Sequence, residues 1–106
     1  MSPVLRVISF RQPGRVVPRR AAGLAAAAVR LRCGEQMAWH STKAREELLL
    51  VLEGRVVLEV ERSGRRPLRR ALGAGSCALI PSQMWHRVRN PSRPPARYLY
   101  VTAPAR

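Results

Sequence analysis

Residues 37–54 read "MAWHSTKAREELLLVLEG". From Glu46 to Glu53 the run is dominated by leucine and valine and is closed by Gly54, which predicts a strand. Successive side chains of a strand point to opposite faces, so Glu47 shares a face with Leu49 and Val51 while Glu46 points the other way. A carboxylate among apolar neighbours needs a cation, a hydrogen-bonding partner or water. Seven residues earlier stands His40, preceded by Trp39. A second Trp-His pair, Trp85-His86, follows in "PSQMWHRVRN", residues 81–90. The stretch therefore asks whether two histidines and a glutamate meet.

Working outward, apolar runs of strand length alternate with turn residues, and no stretch combines a sustained helical period with helix caps. Strands are expected over Val4–Ser9, Gly23–Cys33, Gln36–His40, Glu46–Glu53, Arg55–Arg62, Pro67–Leu72, Ser76–Ile80, Met84–Arg89 and Arg97–Thr102. Turns are expected at Gln12–Gly14, Ser63-Gly64, Gly73–Gly75 and the proline-rich "NPSRPPA" from Asn90. So many short strands predict an all-β sandwich or closed barrel, which leaves few unpaired edges. No internal repeat or low-complexity segment is visible. The first twenty residues, rich in proline and arginine, are expected as an edge strand, a loosely held arm or a segment crossing to a partner.

A chain of 106 residues suits one domain with one modest core. The twin arginines Arg19 and Arg20 precede "AAGLAAAAV", but Arg30 and Arg32 interrupt that stretch far short of a membrane span. Alternation from Val29 to Cys33 fits a strand with one wet face better. The two cysteines, Cys33 and Cys77, show neither metal-knuckle nor disulfide-framework spacing and are read as small buried apolar residues. A cytoplasmic protein, with no membrane partner, is the default expectation.

The net charge is +14, from 19 arginines, one lysine (Lys43) and six glutamates without aspartate. A total of that size raises nucleic acid first. However, the arginines run from Arg6 to Arg106 without a compact tract and project mostly from predicted outer faces, so nucleic acid is not the expected partner.

Alternation places His86 with Val88 and sends Trp85, Arg87 and Arg89 to the other face; in the same way His40 opposes Trp39. If the histidines face inward, the tryptophans face a second layer, the amino-terminal arm or a partner subunit. Two imidazoles and a carboxylate on one face suit a divalent metal with positions left open for water or substrate. The plainer reading is an exposed Glu47 beside two ordinary histidines.

In both of its motifs the sequence resembles the cupin family. Gly34, "EQMAW", His40, Ser41, Thr42, "KARE", Glu47, "LLLVLE", Gly54 is similar to the first motif. Gly75, "SCALI", Pro81, Ser82, Gln83, "MW", His86, "RVR", Asn90 is similar to the second. The resemblance covers about residues 23–102. It implies a double-stranded β-helix, or jelly-roll barrel, as a single domain with metal ligands His40, Glu47 and His86. Thr42 stands where the family usually has a second histidine, and Gln83 replaces a glycine; Thr42, Gln83 and Val51 are the expected site-lining residues. A threonine hydroxyl is a poor ligand for a divalent transition metal, so that corner is expected to hold water or stay open.

The resemblance implies a divalent ion, with iron, manganese, zinc and nickel all compatible with the donors. It also implies a small anionic or oxygen-rich ligand and a homodimer. Two function classes follow. One is a non-haem metal-dependent dioxygenase or isomerase; the other is a small-molecule-binding or sensory protein with weak or no metal.

Overall fold

The computed structural model describes residues 5–19 and 21–105. Residues 1–4, including the expected strand start Val4, lie outside the described residues, as does Arg20 of the twin arginines. Among the described residues eight strands form: β1 (Gly14–Arg15), β2 (Ala25–Leu31), β3 (Arg45–Glu53), β4 (Arg55–Arg62), β5 (Arg65–Gly73), β6 (Cys77–Ile80), β7 (His86–Arg89) and β8 (Ala96–Pro104). They build a five-stranded sheet of order β1-β2-β8-β3-β6 and a three-stranded sheet of order β5-β4-β7. Every pairing is antiparallel. The all-β expectation holds, and none of the described residues is helical. Among the described residues no helix is long and apolar enough to cross a membrane.

The core lies between the inner faces of the two sheets. Leu49 and Val51 of β3, Ile80 of β6 and Tyr98 of β8 meet Val56 and Leu58 of β4 and Val88 of β7, all nearly inaccessible to water. Each large apolar side chain so buried contributes about 1.5–3 kcal/mol before the cost of ordering it. The β3–β4 turn brings Gly54 against the start of β8. A Cβ there would stand 2.7 Å from the Pro95 carbonyl oxygen, and φ is +74°; only glycine meets both demands. Asn90, fully buried after β7, donates to the carbonyls of Leu31 and Pro94 and accepts from the Ser92 amide. It ties the loop before β8 to the end of β2.

Four expectations need correction. Residues 5–9 form no strand; Leu5 and Val7 are more than nine-tenths exposed. An isolated chain offers that apolar run no sheet to join. The turn expected at Gln12–Gly14 ends in the short edge strand β1, whose Gly14 and Arg15 pair with Ala28 and Ala27. Residues 36–40 make two isolated bridges, Gln36 with Arg89 and His40 with His86, and no continuous strand. The cysteines are both exposed. Cys33 sits in the turn after β2, and Cys77 occupies the outward phase of β6, where Ala78 and Ile80 take the inward positions.

Candidate metal centre

The centre begins with backbone pairing. His40 and His86 face each other across an antiparallel bridge, so their side chains emerge on the same side. The rings lie 4.4 Å apart between centroids, tilted by 57°. Glu47 arrives from the other sheet: it occupies an inward position of β3, with Ile80 and Thr102 beside it in register. One ligand atom from each of His40, Glu47 and His86 falls within 4.8 Å of the others. Such a group could hold a metal ion.

The donor atoms are prepared for that task. His86 Nδ1 lies 2.9 Å from the Met84 carbonyl, and His40 Nδ1 lies 2.8 Å from the Ala38 carbonyl. A carbonyl only accepts, so each Nδ1 carries the proton and each Nε2 keeps its lone pair. His86 Nε2 is buried without a hydrogen-bonding partner, 3.6 Å from Glu47 Oε1. A buried acceptor without a donor costs about 1–3 kcal/mol. A cation among the three groups satisfies that atom and the Glu47 charge together, so the residues fit a divalent metal. In the protein alone, burial disfavours the His86 imidazolium. The nearby Glu47 carboxylate, with the Met84 carbonyl, outweighs it and lifts the pKa above the ordinary 6.5.

A cavity of about 320 Å³ opens beside the triad. Met37 and Val88 give it apolar walls, and Thr42, Arg45, Tyr98 and Tyr100 bring polar ones. Burial, then Glu47 and Tyr100, push the Tyr98 phenol above its usual pKa, so the hydroxyl stays protonated. Thr42 Oγ1 donates to the Arg45 carbonyl at 2.6 Å, which turns the hydroxyl to the chain and not to the triad. A larger groove of about 720 Å³ runs past Trp39, Glu61 and Arg62 on the outside of the molecule, but none of the triad lines it.

Of the residues singled out from the sequence, His40, Glu47 and His86 come together as the triad; His40, Glu47 and Thr42 line the cavity, while His86 is fully buried and does not. Val51 lies deeper, in the core. Gln83 lies in a different groove, beside Glu61, Ser63 and Trp85. Both tryptophans point away from the triad: Trp39 packs under the Arg87 guanidinium, 4.8 Å from the ring centroid, and Trp85 is about half exposed. The sequence reading missed Arg45, Tyr98 and Tyr100. Arg45 was legible in principle, because it stands two residues before Glu47 and alternation gives both the same face.

A second polar cluster occupies the outer face of the small sheet. Glu59, 1% exposed, receives Arg69 Nε and Arg87 Nε at 2.9 Å each, with Arg89 Nε at 3.4 Å. Burial alone would raise its pKa, but the hydrogen bond and charge of Arg87, with Arg69 and Arg89, hold it below the usual carboxylate value. The expected row of free outer arginines is here an ion-pair cluster.

The cupin domain family model matches residues 28–102. No curated protein sequence matches the chain. Among solved structures, an RmlC-like cupin family protein of Methanocaldococcus jannaschii, with a double-stranded β-helix fold, superposes with a TM-score of 0.76 at 18% identity, covering 97% of this chain and 94% of that one. The TT1209 protein of Thermus thermophilus gives 0.72 at 26% identity, covering 94% and 90%. An oxalate oxidase in complex with glycolate gives 0.71 at 20% identity, covering 77% of this chain. This chain spans 42% of that enzyme's length, and 64% of a Bacillus halodurans protein that also superposes with a TM-score of 0.71.

Proposed function

This chain belongs to the cupin family, and from that premise we propose that it holds one divalent metal through His40, Glu47 and His86 and acts on a small anionic or oxygen-rich molecule. The observation that carries the reading is the buried, unpartnered Nε2 of His86 facing Glu47. When bound, the metal supplies Lewis acidity or oxygen activation. The chain's own residues do the rest. The Ala38 and Met84 carbonyls fix the two rings, Met37 and Val88 keep the cavity wall apolar, and the Tyr98 phenol offers a proton for a hydrogen bond. Dioxygenation or isomerisation is the reaction class the family suggests.

Elemental analysis of protein purified without added metal, then reconstituted with iron, manganese, zinc and nickel, tests the centre. Stoichiometric metal in the wild type and its loss in His86→Ala and Glu47→Ala are expected. Full loading in both variants would overturn the assignment.

A second reading, a small-molecule-binding or sensory protein without turnover, is favoured by one observation. The Thr42 hydroxyl is committed to the Arg45 carbonyl, which leaves the centre a side-chain ligand short. Ligand binding without metal would favour it.

The proposed assembly is a homodimer. On the outer face of the five-stranded sheet, Leu48, Leu50, Leu99, Val101 and Leu79 stand in register with no charge among them, between Glu46 at one end and the Glu53–Arg97 pair at the other, and Leu79 is 67% exposed. In a chain of net charge +14 a second copy meets least repulsion there. Residues 5–10 extend four exposed apolar side chains, Leu5, Val7, Ile8 and Phe10, that a partner could cover. The proposed compartment is the cytoplasm, supported by two free cysteines.

A further inference from the structure

The cavity beside the triad is lined by a cation, Arg45, with which no acid among the described residues forms an ion pair. Arg45 opens β3 and is half-buried. Its Nε donates to Thr102 Oγ1 at 2.9 Å, and its Nη2 donates to the Thr102 carbonyl at 2.9 Å and the Gly23 carbonyl at 3.2 Å. All three acceptors are neutral. Among the described residues Arg45 takes part in no ion pair, and its Nη1 makes no hydrogen bond. The contrast with Glu59 is direct: there three guanidiniums crowd one carboxylate, whereas here a guanidinium is clamped by neutral groups in a cavity wall. Neutral acceptors orient a guanidinium but leave its charge uncompensated, and partial burial makes that costly. With Nε and both Nη2 protons committed, the two Nη1 protons are left to donate to an oxygen of a carboxylate.

We propose that the cavity takes small carboxylates and that the guanidinium of Arg45 seats the carboxylate group. This deepens the functional reading above: the metal end of the ligand rests on that reading, while the Arg45 end does not. A volume of about 320 Å³ lies at the small end of ligand pockets and has room for a small carboxylate. The apolar walls at Met37 and Val88 lower the local dielectric and strengthen the charge pair.

Glycolate and glycolamide differ in charge and little in shape, which makes them the probes. Both are titrated calorimetrically into metal-free protein and into protein reconstituted with zinc. Glycolate is expected to bind at least about tenfold tighter than glycolamide. Arg45→Gln is expected to weaken glycolate by about 10–100-fold with zinc content unchanged, and Arg45→Lys to keep part of the affinity. Equal affinities for the two probes, unaltered glycolate binding in Arg45→Gln, or no glycolate binding by folded wild-type protein would each overturn the proposal. If zinc is not taken up, the metal reading falls while the metal-free titration still decides the role of Arg45. Should Arg45→Gln fail to fold, the wild-type Arg45 Nε resonance decides instead: glycolate is expected to shift it, and a shift confined to other arginines refutes the assignment.

Discussion

His40 and His86 exchange both backbone hydrogen bonds, His40 N to the His86 carbonyl at 3.0 Å and His86 N to the His40 carbonyl at 2.8 Å. Reciprocal bonding of this kind fixes the distance between two Cα atoms and the side on which both side chains emerge. Each ring is then pinned by the carbonyl two residues before it. The pair is thus set by the peptide chain, with or without a metal.

Removal of metal should therefore leave the fold standing. Chelator-treated protein is expected to keep its β-sheet circular dichroism. At a hundredfold excess of metal over its dissociation constant, restoring metal should add about 2.7 kcal/mol by mass action. Collapse of the sheet signal on chelation, as in a metal-nucleated domain, would contradict a preformed site.

Thr42→His should tighten metal binding. Position 42 lines the cavity two residues from His40, and an imidazole there adds a nitrogen donor in place of a hydroxyl that now bonds the Arg45 carbonyl. A rise in zinc affinity of about tenfold or more is expected, given that even outer partners of metal ligands are worth 10–100-fold. Competition with a chromophoric chelator measures it, and an unchanged affinity would mean that this corner faces away from the ion.

Glu59 should make stability sensitive to acid. Its pKa is held below the ordinary 4.5 in the folded protein, so its contribution is complete above that value. It is lost as pH falls through the lower folded pKa. Urea midpoints are expected to decline below about pH 4.5. Glu59→Gln should lose about 1–3 kcal/mol at pH 7, toward the lower end because Arg69 is largely exposed. The variant and wild type should converge at low pH.

Much of this was legible in the sequence where local signals agree. The expected bounds of β4 match the structure at both ends, because Gly54 and Ser63-Gly64 punctuate the valine- and leucine-bearing run between them. The face shared by Glu47, Leu49 and Val51 follows from alternation alone, and all three are buried. What was not legible depends on phase or on partners. Cys77 reads as buried by composition, yet Ile80 sets the phase of β6 and turns Cys77 outward. Residues 36–40 look like a strand but make only two isolated bridges to β7, with one further hydrogen bond from the Met37 amide to the Val88 carbonyl. Arg45 was left outside its strand by a boundary drawn one residue late, which hid its place beside Glu47. The charge cluster at Glu59 depends on arginines from β5 and β7 that no local pattern brings together.

Gln83 occupies a backbone conformation made for glycine. Its φ is +65°, in the left-handed region that costs an L-residue about 1–2 kcal/mol. Its amide is nonetheless held to the Lys43 carbonyl at 2.7 Å. Gln83→Gly relieves the strain while adding some unfolded-state entropy, and a net gain of about 0.5–1 kcal/mol is expected in urea unfolding. Gln83→Ala should bring no such gain.

Cys77 offers a chemical readout of the proposed dimer. It stands beside Leu79 on the outward phase of β6, with Leu50 opposite it on β3. Cys33 lies in a turn away from that face. Both thiols are exposed in the single chain, so a monomer would alkylate at both under native conditions. In a dimer closed over this face Cys33 should react freely and Cys77 slowly. Leu79→Glu places like charges against each other across a two-fold axis and removes an apolar contact worth about 1.5–3 kcal/mol on each side. That variant is expected to sediment as a monomer and to regain rapid Cys77 alkylation. Equal alkylation of both cysteines in the wild type, together with a monomer mass by sedimentation, would refute the interface.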